Sequence, residues 1–510
     1  MSIQFAPQNS DTSQPAQTSQ PPQDSAADSN SATANVHPVD QRPAWPKLFV
    51  LGFQQVLAMY AGAIAVPLIV GGALIAAGTF EAEHLHHLIA ADLFVAGIAS
   101  IIQSIGFWRF GARLPLMQGV SFVAVAPMIS IGSQYGVTAI YGSVIATGIF
   151  MMLIAPFFAK FVRFFPALVT GTIITIIGLS LTRVAAGWIY NSSAPEAERG
   201  APMNFVLAGL TLLAIILFHN YASRTWRPAA VIFGIILGTL FAQLTGYTNW
   251  SSVGDASWFG VPTPFQFGVP AFYGTAIFTM IIVGIVIMIE TAGDIIAVGE
   301  IVDKPASPKT MANGLRADGL STFLGGIFNT FPYAAFAQNV GLISLSRVYS
   351  RYVVTMAGGI LVVLGLVPKL GEVIAAIPAP ILGGAGLTLF GMVTASGIKT
   401  LATVQWNEQR SLIVAVAISI GLLPSVYPTL YEQLPDSIAL IADSGIAMGA
   451  IVVLVLNLAF GGATQEVNHV ELDAHGNPVV ESSTLAGMSA EKATCAHEQH
   501  PQRRKNGADS

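Results

Sequence analysis

Three carboxylates lie within long apolar stretches of this chain. Glu290 and Asp294 belong to the run MIETAGD at 288–294, and Asp318 belongs to RADG at 316–319. A carboxylate at bilayer depth costs roughly 3 kcal/mol, and such groups normally mark a pathway or a binding site. Because Glu290 and Asp294 are four residues apart, they share one helix face at a separation of about 6 Å. The spacing predicts a buried polar site around these carboxylates.

A purely structural role is the alternative for each of these groups. Asp294 lies near the predicted end of its helix, and Asp318 follows Arg316 closely enough to pair with it. Asp92 also lies in an apolar stretch, where we interpret it as a structural hydrogen-bonding partner. The sequence alone leaves these alternatives open.

The stretch FPYAAFAQNVGLISLSR at 331–347 carries a second set of polar groups, Gln338 and Asn339, in a segment too short to span a membrane. An amide offers both donors and acceptors, which suits a flat ligand with alternating ring N–H and C=O edges and suits a metal ion poorly. Phe122 and Phe336 could sandwich such a ring, with ordinary packing as the alternative. His84, His86 and His87 precede a span, and we interpret them as a solvated loop cluster rather than a metal site.

Composition decides the class of protein. The 510 residues are 53% hydrophobic and 10% charged, with 50 glycines and a net charge of −5, whereas a typical soluble domain is about 25% charged. A polytopic membrane protein in contact with the lipid bilayer is predicted, and no basic patch suggests a nucleic-acid partner. The polar segments 1–44 and 464–510, the second of which holds the single cysteine, are predicted to be disordered tails.

Each segment of about 20 apolar residues is a candidate membrane span, and the sequence predicts fourteen spans. The first is interrupted by Gly62 and Pro67, and the third and tenth are short and broken. The predicted spans are 47–70, 86–108, 114–131, 137–158, 164–182, 203–221, 228–247, 271–297, 314–328, 332–349, 352–368, 380–397, 410–426 and 438–460.

Charge and symmetry organise these spans. With both tails cytoplasmic, most Lys and Arg residues fall in inner connections, and the outer ones carry only Arg183, Arg199 and Lys369, as the positive-inside rule requires. Seven spans followed by seven more form inverted halves and place the broken third segment opposite the broken tenth. Corresponding broken segments in inverted repeats point to a transporter site near the midplane. Two ordinary proline-kinked helices are the alternative.

The run QNVGLISLSR resembles the signature of the nucleobase–ascorbate transporter family, also called the second nucleobase–cation symporter family. That signature reads Gln or Glu, Asn, any residue, Gly, four residues, Thr, then Arg, Lys or Gly. The matching residues here are Gln338, Asn339, Gly341, Ser346 and Arg347, with serine in place of threonine. ETAGD at 290–294 and ADG at 317–319 resemble two further family motifs, and the similarity covers roughly residues 45–460.

The resemblance implies an all-α fold of fourteen transmembrane segments in two inverted repeats of seven. Spans 3 and 10 would each be a short strand followed by a half-helix. Within a transporter domain at 45–463, spans 1–4 and 8–11 would form a core domain, and spans 5–7 and 12–14 a gate domain. A homodimer is expected by the same analogy.

The resemblance also implies roles for individual residues. The base would be held by Glu290 and Gln338 and lined by Phe122, Phe336 and the backbone near Ala337. Transport and proton coupling would depend on Glu290, Asp294, Asp318 and Asn339. Affinity and specificity would depend on Gln55, Ser121, Gly341, Ser346 and Arg347.

The branch of the family and its activity follow from the same residues. The uracil branch carries His in place of Asp294 and Glu in place of Gln338, so this chain is more similar to the xanthine and uric acid carriers. The implied activity is proton-coupled import of xanthine or uric acid across a bacterial inner membrane, without a cofactor. One departure is Gln55, where relatives often have a histidine, since glutamine can hydrogen-bond but cannot titrate near neutral pH.

Other functions remain open at this point. A sodium-coupled or broader nucleobase carrier would share these motifs. An anion exchanger or channel of the same architecture would place basic residues at the broken segments, where this chain places Glu290 and Asp294. An enzyme is not predicted, because the spans contain no nucleophile–base pair and no metal-ligand spacing.

Overall fold

The computed structural model describes residues 36–161, 166–192, 194–223, 226–431 and 433–460. These residues form helices and one pair of short strands, in agreement with the predicted all-helical class. The elements of the first half are α1 (Trp45–Ala76), α2 (Leu85–Ile105), β1 (Gln118–Val120), α3 (Val125–Tyr135), α4 (Val137–Phe161), α5 (Ala167–Tyr190), α6 (Pro202–Tyr221) and α7 (Ala230–Leu244).

The second half repeats this succession of long helices around one short strand. Its elements are α8 (Ser251–Asp255), α9 (Gly274–Ile301), α10 (Pro308–Ile327), β2 (Tyr333–Ala335), α11 (Ala337–Ser346), α12 (Arg351–Gly365), α13 (Pro368–Ala375), α14 (Ala379–Leu401), α15 (Glu408–Val426), α16 (Asp436–Ala442) and α17 (Gly445–Ala459).

The length of the helices makes this a multi-pass membrane protein. Among the described residues, nine helices are long and apolar enough to cross a bilayer, or ten if α12 and α13, bent by 81°, form one span. The count of fourteen spans stays a prediction. The predicted last span is wrong as one helix, because it is divided into α16 and α17. The Ser444 side chain accepts a hydrogen bond from the Ala447 backbone N–H and so starts α17 anew.

The prediction that Gly62 and Pro67 interrupt the first span is also wrong. Helix α1 runs through both residues. A proline inside a helix removes one backbone hydrogen bond, and transmembrane helices tolerate this loss where neighbouring groups surround the site. Both residues are buried. Gly62 permits a close approach instead of a break, because a Cβ there would lie 2.8 Å from the Phe336 ring.

Helix packing falls into two groups. In one, α4 lies against α9 and α10, α2 against α12, and α1 against both α2 and α12. In the other, α5 and α6 lie against α14, α6 against α7, and α15 and α17 against each other and α5. The groups meet where α5 and α17 contact α9, and where α14 contacts α11 and α1.

Strands β1 and β2 pair antiparallel at the centre of the first group. Gln118 lies opposite Ala335, and Val120 opposite Tyr333. The flanking backbone continues the pairing, because Ser121 N donates to Pro332 O at 2.9 Å and Phe336 N donates to Met117 O at 3.0 Å. The pairing supplies hydrogen-bond partners to non-helical backbone N–H and C=O groups, which lipid cannot do. Each strand leads into a short helical segment: a turn at Phe122–Ala124 and then α3, and directly α11.

The end of the predicted N-terminal tail is ordered, so the boundary at residue 44 is wrong. Val39 is fully buried, and Asp40 accepts hydrogen bonds from Arg351 Nε at 2.7 Å and Lys304 Nζ at 3.2 Å. Burial alone would raise the pKa of Asp40, but the hydrogen bonds and charges of Arg351 and Lys304 outweigh it and lower that pKa. Residues 1–35 and 464–510 of the predicted tails, including Cys495, lie outside the described residues.

Candidate functional site

The three predicted carboxylates meet at the start of the half-helices. Glu290 and Asp294 are one turn apart on α9. The Asp294 carboxylate interacts electrostatically with Glu290 and with Asp318 on α10. Asp318 is fully buried and Asp294 nearly so, whereas Glu290 is only half-buried. The Ser121 hydroxyl, just after β1, donates to Glu290 Oε2 at 3.2 Å. None of the three takes part in an ion pair with a described Lys, Arg or His.

Asp318 is surrounded by neutral donors. The Gln103 Nε2 group, on α2, lies 3.5 Å from Asp318 Oδ1 at the outer limit of hydrogen bonding, while Gln103 Oε1 accepts from the Ala112 N–H at 3.1 Å. The alternative that Asp318 pairs with Arg316 is not supported, because the Arg316 guanidinium donates to Asn313 at 3.0 Å. The burial of a carboxylate without a cation is costly in its charged form.

The two predicted amide side chains differ in their environment: Asn339 is bonded within the protein, and Gln338 is accessible. Asn339 is buried, and its Nδ2 donates to Gln55 Oε1 at 2.7 Å and to the Gln55 carbonyl at 3.0 Å. This contact fixes α11 to α1. Gln338 and Ala337 are partly exposed, and the Gln338 amide has no hydrogen-bond partner within the described part of the chain. The group that remains free to bind a ligand is therefore Gln338.

The two predicted phenylalanines do not form a parallel sandwich. Their ring centroids are 6.5 Å apart and the planes are inclined by 43°, whereas rings on the two faces of a base would be parallel and about 7 Å apart. Phe336 lies between Gly62 and Gly119, and a Cβ on Gly119 would be only 2.3 Å from its ring. Phe122 contacts Phe390 of α14 edge-on at 5.7 Å. As placed, Phe122 and Phe336 form one wall of the site.

Among the other signature residues, Gly341 lies in the middle of α11, and Ser346 and Arg347 lie at its far end. Gly341 is exposed, with open space around its Cα. Ser346 is the last residue of the helix, and Arg347 follows in the left-handed conformation at φ 55°. Eight residues of helix separate Ser346 from Gln338, about 12 Å along the axis. Ser346 and Arg347 therefore end the half-helix, away from the carboxylates.

The sequence did not single out four polar or aromatic residues that shape this site. Gln103 contacts Asp318, Phe390 packs on Phe122, and Gln118 and Thr291 also contact Asp318. Thr291 additionally accepts a hydrogen bond from the Ala335 N–H of β2 at 3.0 Å. Only Thr291 carried a signal, because it belongs to the ETAGD motif.

Two other polar clusters have definite positions. Asp92 accepts hydrogen bonds from Tyr333 at 2.7 Å and Thr330 at 3.1 Å, which confirms its interpretation as a hydrogen-bonding partner. The interpretation of the histidines as a solvated loop is wrong. His86 and His87 lie in the first turn of α2, where helix formation half-buries them, and His86 Nδ1 lies 2.6 Å from Glu372 Oε1 on α13.

The long apolar helices and the buried polar site between half-helices define a multi-pass membrane permease rather than an enzyme. Residues 46–430 match the model of a permease family, so the chain belongs to this family, the nucleobase–ascorbate transporters. The chain is 44% identical to the uric acid permease PucJ of Bacillus subtilis (strain 168), over 81% of this chain and 92% of that protein. It is 40% identical to the xanthine permease of the same organism, over 82% and 95% respectively.

Solved structures show a related fold. The transmembrane domain of the cyanobacterial bicarbonate transporter BicA matches with a TM-score of 0.56 at 15% identity, covering 79% of this chain and all of that domain. At this identity the likeness concerns the arrangement of the chain alone.

Proposed function

We propose that this protein is a proton-coupled symporter that imports a purine nucleobase, xanthine or uric acid, across a bacterial inner membrane. Two relatives at 40–44% identity are a uric acid permease and a xanthine permease. The observation that carries the proposal is Glu290, a half-buried carboxylate without a cation that is held by Ser121, on the helix α9 that contacts α11, the half-helix carrying the free amide of Gln338.

The chemistry of oxidised purines fits these groups. Xanthine and uric acid present ring N–H groups beside C=O groups. The Glu290 carboxylate accepts from ring N–H groups, and the Gln338 amide both donates to a carbonyl and accepts from an N–H. The partly exposed backbone at Ala337 and the aromatic wall of Phe122 and Phe336 line the flat ring. The buried Asp294, Asp318 and Asn339 act without contacting the base.

Coupling to protons follows from the unbalanced charge. Two further carboxylates lie behind Glu290, and charge in a water-poor interior is costly without a partner. A proton bound at Glu290 or Asp318 removes one negative charge and allows the site to cross between the two faces. A sodium ion could balance the same charge, so sodium coupling is the second candidate, favoured by the same carboxylates. Gln55 binds Asn339 and does not titrate, which leaves proton handling to the carboxylates.

Transport proceeds by alternating access in this proposal. The inverted repeats place the core (spans 1–4 and 8–11) beside the gate (spans 5–7 and 12–14), and the base binds between them. Both termini are cytoplasmic, and the protein forms a homodimer. An anion exchanger of related fold is disfavoured, because the half-helices face Glu290 and Asp294 rather than basic residues.

The test of coupling is uptake of labelled xanthine and urate in cells that lack purine transport. Uptake should fall to background when a protonophore collapses the proton gradient, and it should persist in sodium-free buffer. Uptake that survives the protonophore and requires sodium would replace proton coupling by sodium coupling. A competition panel of purines and pyrimidines then defines the range of substrates.

The test of the site uses matched substitutions. Glu290→Gln should abolish uptake, whereas Glu300→Gln, an exposed glutamate on the same helix, should leave it unchanged. Gln338→Ala should weaken binding at least tenfold, with the exposed Gln134→Ala as its control. Membrane levels of each variant are measured by immunoblot. Wild-type affinity in both Glu290→Gln and Gln338→Ala would show that the base binds elsewhere.

A further inference from the structure

A fully buried amide lies in the last turn of α2, where Gln103 joins this helix to two other segments of the chain. Its Oε1 accepts from the Ala112 backbone N–H at 3.1 Å. Its Nε2 faces two acceptors on α10, the Gly314 carbonyl at 3.4 Å and Asp318 Oδ1 at 3.5 Å. Gln103 therefore connects α2, the backbone that follows it and α10.

The partners of this amide fix its orientation. A backbone N–H can only donate and a carbonyl can only accept, so Oε1 has to face Ala112 and Nε2 has to face Gly314. After a flip of the amide, a donor would meet a donor, and the oxygen would meet the oxygens of Gly314 and Asp318. The NH2 group carries two hydrogens, which is enough for both of its acceptors. One of these hydrogens is therefore directed at the Asp318 carboxylate.

A tight turn at residues 106–113, here called the α2 turn, brings the Ala112 N–H to Gln103. Its backbone folds back on α2, because the Arg113 N–H donates to the Gln103 carbonyl at 3.0 Å. Gly111 within the turn has φ 93°, a conformation that favours glycine, and a Cβ there would lie 2.4 Å from a carbonyl oxygen of α2. The conformation of the α2 turn thus determines where Oε1 is held and, through it, where Nε2 points.

Helix α10 approaches this amide closely because Gly314 has no side chain. A Cβ at Gly314 would lie 2.6 Å from Ile295 Cδ1 and 3.2 Å from Ala112 Cβ. Asp318 follows Gly314 by one helical turn and lies on the same face of α10. The Nε2 group of Gln103 therefore reaches the backbone carbonyl and the carboxylate at once.

The two oxygens of Asp318 have different surroundings. Oδ1 faces Gln103 Nε2. Oδ2 is buried and has no hydrogen-bond partner among the described residues, although Gln118 and Thr291 lie beside the carboxylate. A carboxylate that turned away from Gln103 would lose the amide donor while it stayed buried, which is costly for a charged group. The contact with Gln103 therefore keeps one oxygen engaged and leaves the other for the remainder of the site.

We propose that Gln103 is a positioning residue for transport, which fixes the orientation of the Asp318 carboxylate and is itself held by the α2 turn. Gln103 is fully buried and both ends of its amide have partners, so it acts through Asp318 and does not contact the base. The inference rests on the proposed function, in which Asp318 serves transport. Loss of the amide donor therefore slows turnover without weakening the binding of the purine.

The test compares turnover with affinity in the purified full-length protein. Turnover is the initial rate of labelled urate uptake into proteoliposomes under an imposed pH gradient, per molecule of folded protein. Affinity is the Kd of labelled urate for the detergent-solubilised protein. Gln103→Met keeps the length of the side chain but lacks the amide donor. Its turnover should fall at least tenfold, while its Kd changes less than twofold.

Two variants in the same turn of α2 separate positioning from bracing. Gln103→Glu keeps an acceptor for the Ala112 N–H but presents an oxygen to Asp318 in place of the donor, so turnover should again fall at least tenfold. Ser104→Ala is the control, because Ser104 is also fully buried but bonds to its own helix and to Thr355 of α12. This variant should change neither turnover nor Kd.

A variant of the α2 turn tests the inference without any change to Gln103. Gly111→Ala displaces the backbone that holds Oε1, so it should lower turnover at least threefold and leave the Kd unchanged. Gly136→Ala is its control, because Gly136 has a similar φ of 85° and a Cβ there meets nothing within 4 Å. An equal turnover in the Gly111 and Gly136 variants would contradict the role of the turn.

The outcomes separate this inference from the proposed function. Wild-type turnover in Gln103→Met or Gln103→Glu would overturn the inference, and so would a loss of affinity as large as the loss of turnover. An equal loss in Ser104→Ala would overturn it as well, since any disturbance of α2 would then suffice. Normal transport by Asp318→Asn would refute the role of Asp318 in the proposed function, and the inference with it. An inactive Asp318→Asn beside a normal Gln103→Met would refute the inference alone.

Discussion

The narrow slot around Phe336 leads to a graded prediction. A Cβ added at Gly119 would lie 2.3 Å from Phe336 Cε2, and one added at Gly62 would lie 2.8 Å from Cε1 on the other side. Gly119→Ala therefore forces the ring to retreat by about 1 Å to reach ordinary contact, and Gly62 leaves it little room. Overpacking of this kind costs about 1–3 kcal/mol.

The displaced ring belongs to the wall that lines the proposed site, so substrate affinity should fall. A cost of about 2 kcal/mol corresponds to roughly 30-fold weaker binding. Gly62→Ala, with the smaller overlap, should weaken binding by several-fold. Gly72→Ala is the matched control, because Gly72 lies on the same helix as Gly62 and a Cβ there meets nothing within 4 Å.

The assay is the concentration dependence of labelled urate uptake, with the melting temperature of each purified variant as a measure of folding. A double-mutant cycle with Phe336→Leu isolates the contact. In the Phe336→Leu background, the loss of binding free energy caused by Gly119→Ala should be less than half as large, because the ring that the added methyl group displaces is absent. Equal affinities for the Gly72, Gly62 and Gly119 variants, or full additivity with Phe336→Leu, would refute this reading of the slot.

Three other predictions concern single contacts. Asn339→Leu removes two buried hydrogen bonds to Gln55 and should reduce the free energy of unfolding by about 1–3 kcal/mol, which is measured as a lower melting temperature. An unchanged melting temperature would contradict the bracing role of Asn339. Ser121→Ala removes the donor to Glu290 and should weaken urate uptake several-fold, with normal membrane levels as the check. Asp40→Asn should destabilise the protein by at most about 1 kcal/mol at pH 7, because Asp40 is a third exposed and solvent screens such pairs. A carboxylate whose pKa is lowered in the folded state stabilises the fold above its unfolded pKa, and this stabilisation is lost as the pH falls through its folded pKa. The difference in melting temperature between wild type and Asp40→Asn should therefore persist at pH 5 and shrink below about pH 4. A constant difference down to pH 3 would rule out the ion pair as its cause.

The elements of the site were largely predictable because their signals are local. Carboxylates within apolar runs and a proline-led segment of 17 residues depart from the pattern of a lipid-exposed helix wherever they occur. The i, i+4 spacing of Glu290 and Asp294 placed both on one face, and the structure keeps them there. The exposure of Gln338 and the burial of Asn339 were not predictable, because adjacent residues differ only in the direction that the helix gives them.

The remaining parts depend on contacts between residues far apart in the chain. Gln103 meets Asp318 across 215 positions, and Tyr333 meets Asp92 across 241. Neither pair has a periodicity that a single sequence can reveal. The course of α1 through Pro67 was missed for a related reason, since burial against other helices outweighs the local preference of proline to end a helix.

The antiparallel pairing of β1 and β2 has a mechanical consequence. It joins residues 118–120 of one half of the chain to residues 333–335 of the other at the middle of the protein. Separation of the two half-helices would leave these backbone groups unpaired in a medium without water, at a cost of several kcal/mol for each group. The half-helices and the groups at their tips therefore move together as one rigid unit. In the proposed alternating access, a base held there would change sides by travelling with that unit past Phe390, and a disulfide engineered between β1 and β2 should leave transport intact.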